Sequence, residues 1–237
     1  TIPLLLERLG WRAGWQVLGG LSLAATVIAL PALLRARLPA EQSSAATESA
    51  WSPRSIGIEL IGYVLFGAGY IAYATFIIAQ LRSSSRFSPQ EISYFWALLG
   101  CAAMAGVFVW GPVLARLKGG HGAAAVIAAV TLGAALPLMS SGRAVAYLSA
   151  ALFGGSFLST ITAVTSFARR AAPPEAWTKA IAALTVAFGT GQCIGPLLSG
   201  YISDGPDGVR AGLEISAAIL LAAAVVISFQ RERRLGS

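Results

Sequence analysis

The chain has 237 residues, of which 56% are hydrophobic and 11% charged, and its formal net charge is +7. A mean hydropathy of +0.72 is too high for an ordinary soluble domain and indicates a polytopic membrane protein. The basic residues fall in short clusters between apolar stretches, which argues against a nucleic-acid-binding protein. Cys101 and Cys193 lie inside predicted helices and lack metal-ligand spacing, so we expect neither a disulfide framework nor a metal site.

Seven apolar stretches are each long enough to cross a bilayer, and they predict an all-α membrane protein, a polytopic helical bundle. Residues 1–12 are expected to hold the end of an apolar element and a short loop. The segment 35–55 is polar and rich in Ala, Ser and Pro, which predicts a linker between a first helix within 1–34 and a bundle with a basic tail over 56–237. The predicted spans are 13–34, 56–81, 91–114, 122–140, 144–168, 180–203 and 209–229.

The second span carries a stripe of side chains that share one helix face. Glu59, Tyr63, Phe66, Tyr70 and Tyr73 recur at steps of three and four residues. Aromatic rings with hydroxyls suit a solute cavity, where they would stack and form hydrogen bonds, although tyrosines also anchor helix ends and fill gaps between helices. Glu59 lies one turn from the helix start. We expect it to be an interfacial carboxylate that snorkels to water, with a proton-coupling site as the alternative.

Two further features precede the sixth span. The fifth span places Phe157 and Thr160 three residues apart on one helix face, which suits either a cavity or helix packing. His121 is the only histidine in the sequence and follows Lys118 in a predicted loop. It is expected to be a solvated surface residue and not a ligand.

The sixth span has no formal charge but contains several glycines and a proline. A membrane helix tolerates Pro196 and Gly200, because neighbouring helices, hydroxyl side chains and trapped water satisfy the freed backbone groups. Gly191 and Gly195 form a small-xxx-small pair, which predicts the close approach of another helix. Gln192 lies between them. Because an unpaired amide is costly in hydrocarbon, its side chain must face a partner helix or a wet cavity.

The same stretch carries a family resemblance. The run Gly191-x-x-x-Gly195-Pro196-x-x-Ser199-Gly200 resembles the Gly-x-x-x-Gly-Pro-x-x-Gly-Gly run in the fifth helix of many major facilitator superfamily (MFS) transporters. The eleventh helix of those proteins is its repeat partner. Ser199 replaces one glycine of the run, and the general pattern resembles the YbfB/YjiJ-type branch of the superfamily.

A second resemblance lies at the end of the third span. Gly111 and Arg116 match the cytoplasmic MFS motif Gly-x-x-x-Asp-Arg-x-Gly-Arg-Arg, whose weaker copy follows the eighth helix, but Ala115 stands where the motif has aspartate. Near the beginning of the chain, Trp11 and Trp15 belong to a run that resembles the start of the sixth helix. The chain would therefore span the sixth to the twelfth helix, with segment 35–55 as the cytoplasmic central linker.

The resemblance implies a secondary transporter, with the missing N-terminal half of the same chain as its partner. Such transporters hold a small-molecule solute near the bilayer midplane and alternate access by rocking two halves. By this analogy Tyr63, Phe66, Tyr70, Phe157 and Gln192 line half of the cavity. No cofactor is expected. The sequence lacks the Gly-x-x-x-x-Gly-Lys-Ser/Thr phosphate loop, so an ion gradient is the expected energy source and not ATP.

The distribution of lysine and arginine predicts the orientation. With seven spans, eleven of the 17 basic residues fall on one side of the membrane, which the positive-inside rule assigns to the cytoplasm. The C-terminus is then cytoplasmic, and the expected location is a plasma membrane of the bacterial inner-membrane type. The eleven residues are Arg35, Arg37, Arg54, Arg116, Lys118, Arg169, Arg170, Lys179, Arg231, Arg233 and Arg234.

Two other classes of membrane protein share some of these features. A seven-helix receptor or a non-transport membrane module fits the span count, but a retinal-type site would need a lysine in the last span, and both lysines lie in predicted loops. A membrane enzyme would need clustered His, Asp, Glu or Cys at membrane depth, and the spans carry no such cluster. The sequence therefore favours a transporter over both a receptor and an enzyme.

Overall fold

The computed structural model describes residues 2–35, 51–84, 87–203 and 208–231. It divides into two units, 1–49 and 50–237. The described part of the first unit is one helix, α1 (Ile2–Arg35), with an apolar stretch over 12–31 that is long enough to cross a membrane. The expectation of a loop within residues 1–12 is wrong, because the helix is continuous from Ile2.

The second unit contains six long helices. They are α2 (Gly57–Ser84), α3 (Pro89–Arg116), α4 (His121–Met139), α5 (Arg143–Ala171), α6 (Trp177–Ser203) and α7 (Gly208–Ser228). Together with α1, seven helices of the described chain are long and apolar enough to span a bilayer, and the described residues form no strand. The prediction of an all-α, seven-span membrane protein is confirmed.

The predicted boundaries need small corrections. Most of the predicted linker, 36–50, lies outside the described residues, but its last residues enter a 3-10 helix that begins at Pro53. His121, placed in a loop by the sequence, is the first residue of α4. Its side chain is exposed as expected, and Nδ1 lies 3.1 Å from the Lys118 carbonyl oxygen.

Local sequence explains where α3 begins and ends. The Ser88 hydroxyl accepts a hydrogen bond from the Glu91 amide, and the Glu91 carboxylate accepts one from the Ser88 amide at 2.8 Å, which is a capping box. Glu91 also forms an ion pair with Arg143, so the starts of α3 and α5 are joined. After α3 ends, Gly119 adopts a φ of +60°, a conformation that favours glycine.

The helix contacts within this unit are symmetric between two triplets of helices. The helix α2 packs mainly on α6 and α7, whereas α5 packs mainly on α3 and α4, and α4 packs on α7. Exchanging the triplet α2–α3–α4 with the triplet α5–α6–α7 reproduces this set of contacts. The bundle is therefore built from two interleaved three-helix repeats.

Glycines allow the closest of these helix contacts. On α6, the backbone at Gly191 approaches Val64 so closely that an added Cβ would collide with the Val64 carbonyl oxygen. The next turn repeats the arrangement, since a Cβ at Gly195 would collide with the Ala68 carbonyl oxygen. These two positions bring the backbones of α2 and α6 into contact.

Hydrogen bonds between helices satisfy several buried hydroxyls. The Tyr73 hydroxyl lies 2.7 Å from the Ser149 hydroxyl, which donates to the Gly133 carbonyl oxygen at 2.6 Å. This chain of hydrogen bonds joins α2, α5 and α4. The Ser216 hydroxyl donates to the Gly69 carbonyl oxygen at 2.6 Å and joins α7 to α2.

Candidate functional site

Seven aromatic rings meet between α2, α5 and α6, and we call them the aromatic cluster. Neighbouring rings have centroids 4.0 to 6.3 Å apart and lie close to parallel. The backbones of α2 and α5 make few direct contacts, so the rings fill the space between these helices. The cluster consists of Tyr63, Phe66, Tyr70 and Tyr73 of α2, Phe153 and Phe157 of α5, and Phe188 of α6.

Tyr70 occupies the centre of the aromatic cluster. Its ring stacks with Phe157 at 5.6 Å, with an interplanar angle of 6°. It also stacks with Phe188 at 5.8 Å, Phe66 at 5.9 Å and Phe153 at 6.3 Å. A single side chain on α2 therefore contacts rings of all three helices.

The cluster has a buried side and an accessible side. Tyr63 and Phe66 are only 4% and 1% exposed to solvent, whereas Tyr70, Phe157 and Phe188 are half-buried. The two buried rings stack directly on the half-buried rings of Tyr70 and Phe188.

Polar groups beside the accessible rings have no partner within the described residues. The hydroxyls of Tyr63 and Tyr70 and the side-chain amide of Gln192 form no hydrogen bond to any described residue, in contrast to the Tyr73 hydroxyl. Gln192 is half-buried on α6, one turn after Phe188. Flat apolar surface and unpaired neutral donors and acceptors therefore occur together at this site, as in many small-molecule sites.

The sequence named five of these residues as candidates to line a cavity and Tyr73 as part of the same helix stripe, but it missed two rings of the cluster. Phe153 contributes to the cluster from one turn before Phe157, and Phe188 from one turn before Gln192. The spacing of four residues to a named candidate could have pointed to both. Thr160, in contrast, is fully buried, and its hydroxyl back-bonds to the Ser156 carbonyl oxygen at 3.4 Å.

Glu59 does not snorkel. Its side chain is fully buried, and neither carboxylate oxygen has a hydrogen-bond partner among the described residues. The backbone amide of Glu59 donates to Gln230 Oε1 at 3.1 Å, so a residue just beyond α7 binds the first turn of α2. Arg170 at the end of α5 interacts with the carboxylate electrostatically.

The residues of the two sequence motifs lie in different settings. Gly111 and Arg116 are exposed within the last turns of α3, and Gly111 lines a pocket of about 250 Å³ between α3, α4 and α5. On α6, Pro196 lies inside the helix, and a Cβ at Gly200 would meet no atom within 4 Å. Ser199 is buried, and its hydroxyl oxygen has no partner among the described residues.

Comparison with known proteins now identifies the family. The family described as "Uncharacterised MFS-type transporter YbfB" matches residues 2–228. The chain belongs to this MFS family. No curated protein matches the sequence.

Membership explains several features of the fold. MFS proteins are membrane transporters. Each of their six-helix halves contains two three-helix repeats, which accounts for the symmetry between the triplets α2–α3–α4 and α5–α6–α7. Transport across a membrane is therefore the general activity of this MFS chain. Within its described residues, no group of three His, Cys, Asp or Glu side chains could hold a metal ion.

Proposed function

We propose that this MFS chain belongs to a proton-coupled secondary transporter of a small solute, and that the solute binds against the accessible side of the aromatic cluster. The observation that carries the proposal is the half-exposed stack of Tyr70, Phe157 and Phe188 beside the unpaired amide of Gln192. Such a surface favours a solute with a flat, largely apolar part and at least one hydrogen-bonding group. Tyr63 and Phe66 support the stack from the buried side.

A second six-helix half of the same chain would complete the cavity. In this proposal α1 is the last helix of that half, residues 35–55 form the cytoplasmic linker, and 56–237 supply the other half. Rocking of the two halves would expose the solute to each side in turn. The excess of basic residues on one side supports a cytoplasmic C-terminus and a plasma membrane of the bacterial inner-membrane type.

Glu59 is the group we assign to proton coupling. An ionised carboxylate that is fully buried and lacks hydrogen bonds costs several kcal/mol. Protonation removes that cost, and any movement that gives the carboxylate water or brings Arg170 closer would favour release of the proton. Arg170 on α5 is the charged group that acts on the Glu59 carboxylate, Tyr63 lies one turn further along α2, and Gln230 beyond α7 binds the Glu59 backbone amide. The protonation state is thereby linked to the conformation of three helices.

The proposal is tested with the full-length protein in liposomes that contain the pH dye pyranine. Tryptophan, indole and benzoate are the aromatic probes, and glucose and alanine are the non-aromatic controls. We expect at least one aromatic probe to drive a change of internal pH that protein-free liposomes do not show. If no probe moves protons but radiolabelled probe still exchanges, the protein is a facilitator and the coupling proposal fails. If only glucose or alanine is transported, the aromatic solute class is wrong.

A further inference from the structure

A cavity lies between the start of α2, the start of α4 and the end of α7. It has a volume of about 780 Å³, within the range of small-molecule sites. We call it the basic pocket. It is lined by Arg54, Ser55, Gly57, Ile58, His121, Ser228, Phe229, Gln230 and Arg231, none of which belongs to the cluster.

The described lining of the basic pocket carries cationic groups and no carboxylate. The guanidinium groups of Arg54 and Arg231 are exposed and form no hydrogen bond or ion pair with a described residue. The imidazole of His121 is the third basic group. His121 is also the first residue of α4, so the positive end of that helix dipole lies at the same place. These groups make the pocket suitable for binding an anion.

Hydrogen bonds to Gln230 give the pocket a fixed wall. The Gly120 amide donates to the Gln230 carbonyl oxygen at 2.9 Å, and the Glu59 amide donates to Gln230 Oε1 at 3.1 Å. The Gly120 backbone also packs on Ile227 so closely that a Cβ would collide with the Ile227 carbonyl oxygen. One residue therefore holds the starts of α2 and α4 against the end of α7, and the three basic side chains project from this junction.

The position of the pocket along the helices indicates the source of the anion. Arg54 precedes α2, His121 begins α4 and Arg231 follows α7, so all three lie at ends of membrane-length helices, at the level of lipid headgroups. Ile58 and Phe229 line the same pocket and are 38% and 67% exposed. These side chains offer apolar surface for an acyl chain directly beside the cationic groups.

We infer that the basic pocket binds the phosphate of an anionic phospholipid headgroup. The planar guanidinium group of arginine forms paired hydrogen bonds to phosphate oxygens, and basic pockets between transmembrane helices recognise such headgroups. Free phosphate shares this chemistry, but it would leave the apolar surface of Ile58 and Phe229 unused. Arg54 and Arg231 belong neither to the residues assigned to solute binding nor to those assigned to proton coupling, so lipid binding tested at these two residues can fail while the proposed transport activity holds.

Native mass spectrometry of the full-length protein in detergent tests this inference. Phosphatidylglycerol and phosphatidylcholine with identical acyl chains are added at equal concentration, and the bound fraction of each is measured. Because a hydrogen-bonded charged contact contributes about 1.5 to 3 kcal/mol, Arg54→Gln and Arg231→Gln should each weaken phosphatidylglycerol binding roughly tenfold or more. Lys179→Gln removes one exposed charge at the start of α6, outside the pocket, and should leave binding unchanged.

Three results would overturn the inference. The first is equal binding of phosphatidylcholine and phosphatidylglycerol to the wild type, which needs no variant and so does not depend on variant folding. The second is unchanged phosphatidylglycerol binding in both arginine variants. The third is displacement of bound phosphatidylglycerol by millimolar inorganic phosphate, which would make the pocket a site for soluble phosphate. Arg54→Lys keeps the charge without the fork, and intermediate affinity in this variant would support bidentate phosphate contact.

Discussion

Replacing Tyr70 with alanine is the most direct test of the aromatic cluster, because this ring alone contacts rings of three helices. Its four neighbours lie with centroids 5.6 to 6.3 Å away. Losing an aromatic platform on which a flat ligand stacks costs about 1 to 3 kcal/mol in related stacking sites. We therefore expect Tyr70→Ala to raise the Kd of the transported aromatic probe by about 5- to 150-fold.

Two variants control for the hydroxyl and for general damage. Tyr70→Phe keeps the ring and removes only a neutral hydrogen bond of about 0.5 to 1.5 kcal/mol, so the Kd should rise by about 2- to 10-fold. Tyr94→Ala removes an exposed tyrosine of α3 outside the cluster and should leave the Kd unchanged. The assay is equilibrium dialysis of the radiolabelled probe with purified full-length protein. A Tyr70→Ala protein that elutes as a folded monodisperse species and binds with wild-type Kd would refute the binding role of the cluster.

Three further predictions concern coupling and packing. Glu59→Gln keeps the shape of the side chain but cannot ionise. Proton movement measured with pyranine should therefore stop, while exchange of the labelled probe continues. Acidification that still follows solute addition in this variant would remove Glu59 from the mechanism. Gly191→Ala introduces a Cβ against a backbone carbonyl of α2 and should destabilise the protein by about 1 to 3 kcal/mol, measured as a lower unfolding temperature. In the control Gly189→Ala on the same helix, the added Cβ has no atom within 4 Å, so the unfolding temperature should not change. Ser149→Ala leaves the Gly133 carbonyl oxygen and the Tyr73 hydroxyl without their partner and should cost about 1 to 3 kcal/mol; an unchanged unfolding temperature would show that water replaces the serine.

Hydropathy predicted the helices well, because a membrane span must be apolar over its whole length. Each of the six spans predicted within 56–237 corresponds to one helix of the structure, and the ends differ by a few residues. The exception is the beginning of α1, where charged residues among residues 2–12 indicated a loop. Charge alone does not end a helix, since long basic and acidic side chains can extend away from its axis.

The site was only partly predictable, because it is assembled from three helices. Periodicity within α2 found the stripe of Tyr63, Phe66 and Tyr70, since those residues share a face of a single helix. It could not show that Phe153 and Phe188 complete the stack, which depends on how α5 and α6 pack. The prediction for Glu59 was wrong for the same reason, because the first turn of α2 is contacted by residues far along the chain, such as Gln230, which lies 171 residues later.

That long separation has a consequence for the synthesis of the protein in the membrane. The helix α2 packs mainly on α6 and α7, which leave the ribosome after α3, α4 and α5. At about 5 to 20 residues per second, the 171 residues from Glu59 to Gln230 take roughly 10 to 30 s to translate. During that interval the two helices that make most of the contacts with α2 are absent, so we expect the Glu59 carboxylate, one turn from the helix start, to be in reach of water. Chains stalled after residue 203 should therefore show Glu59 accessible to water-borne labelling reagents that no longer reach it in the finished protein.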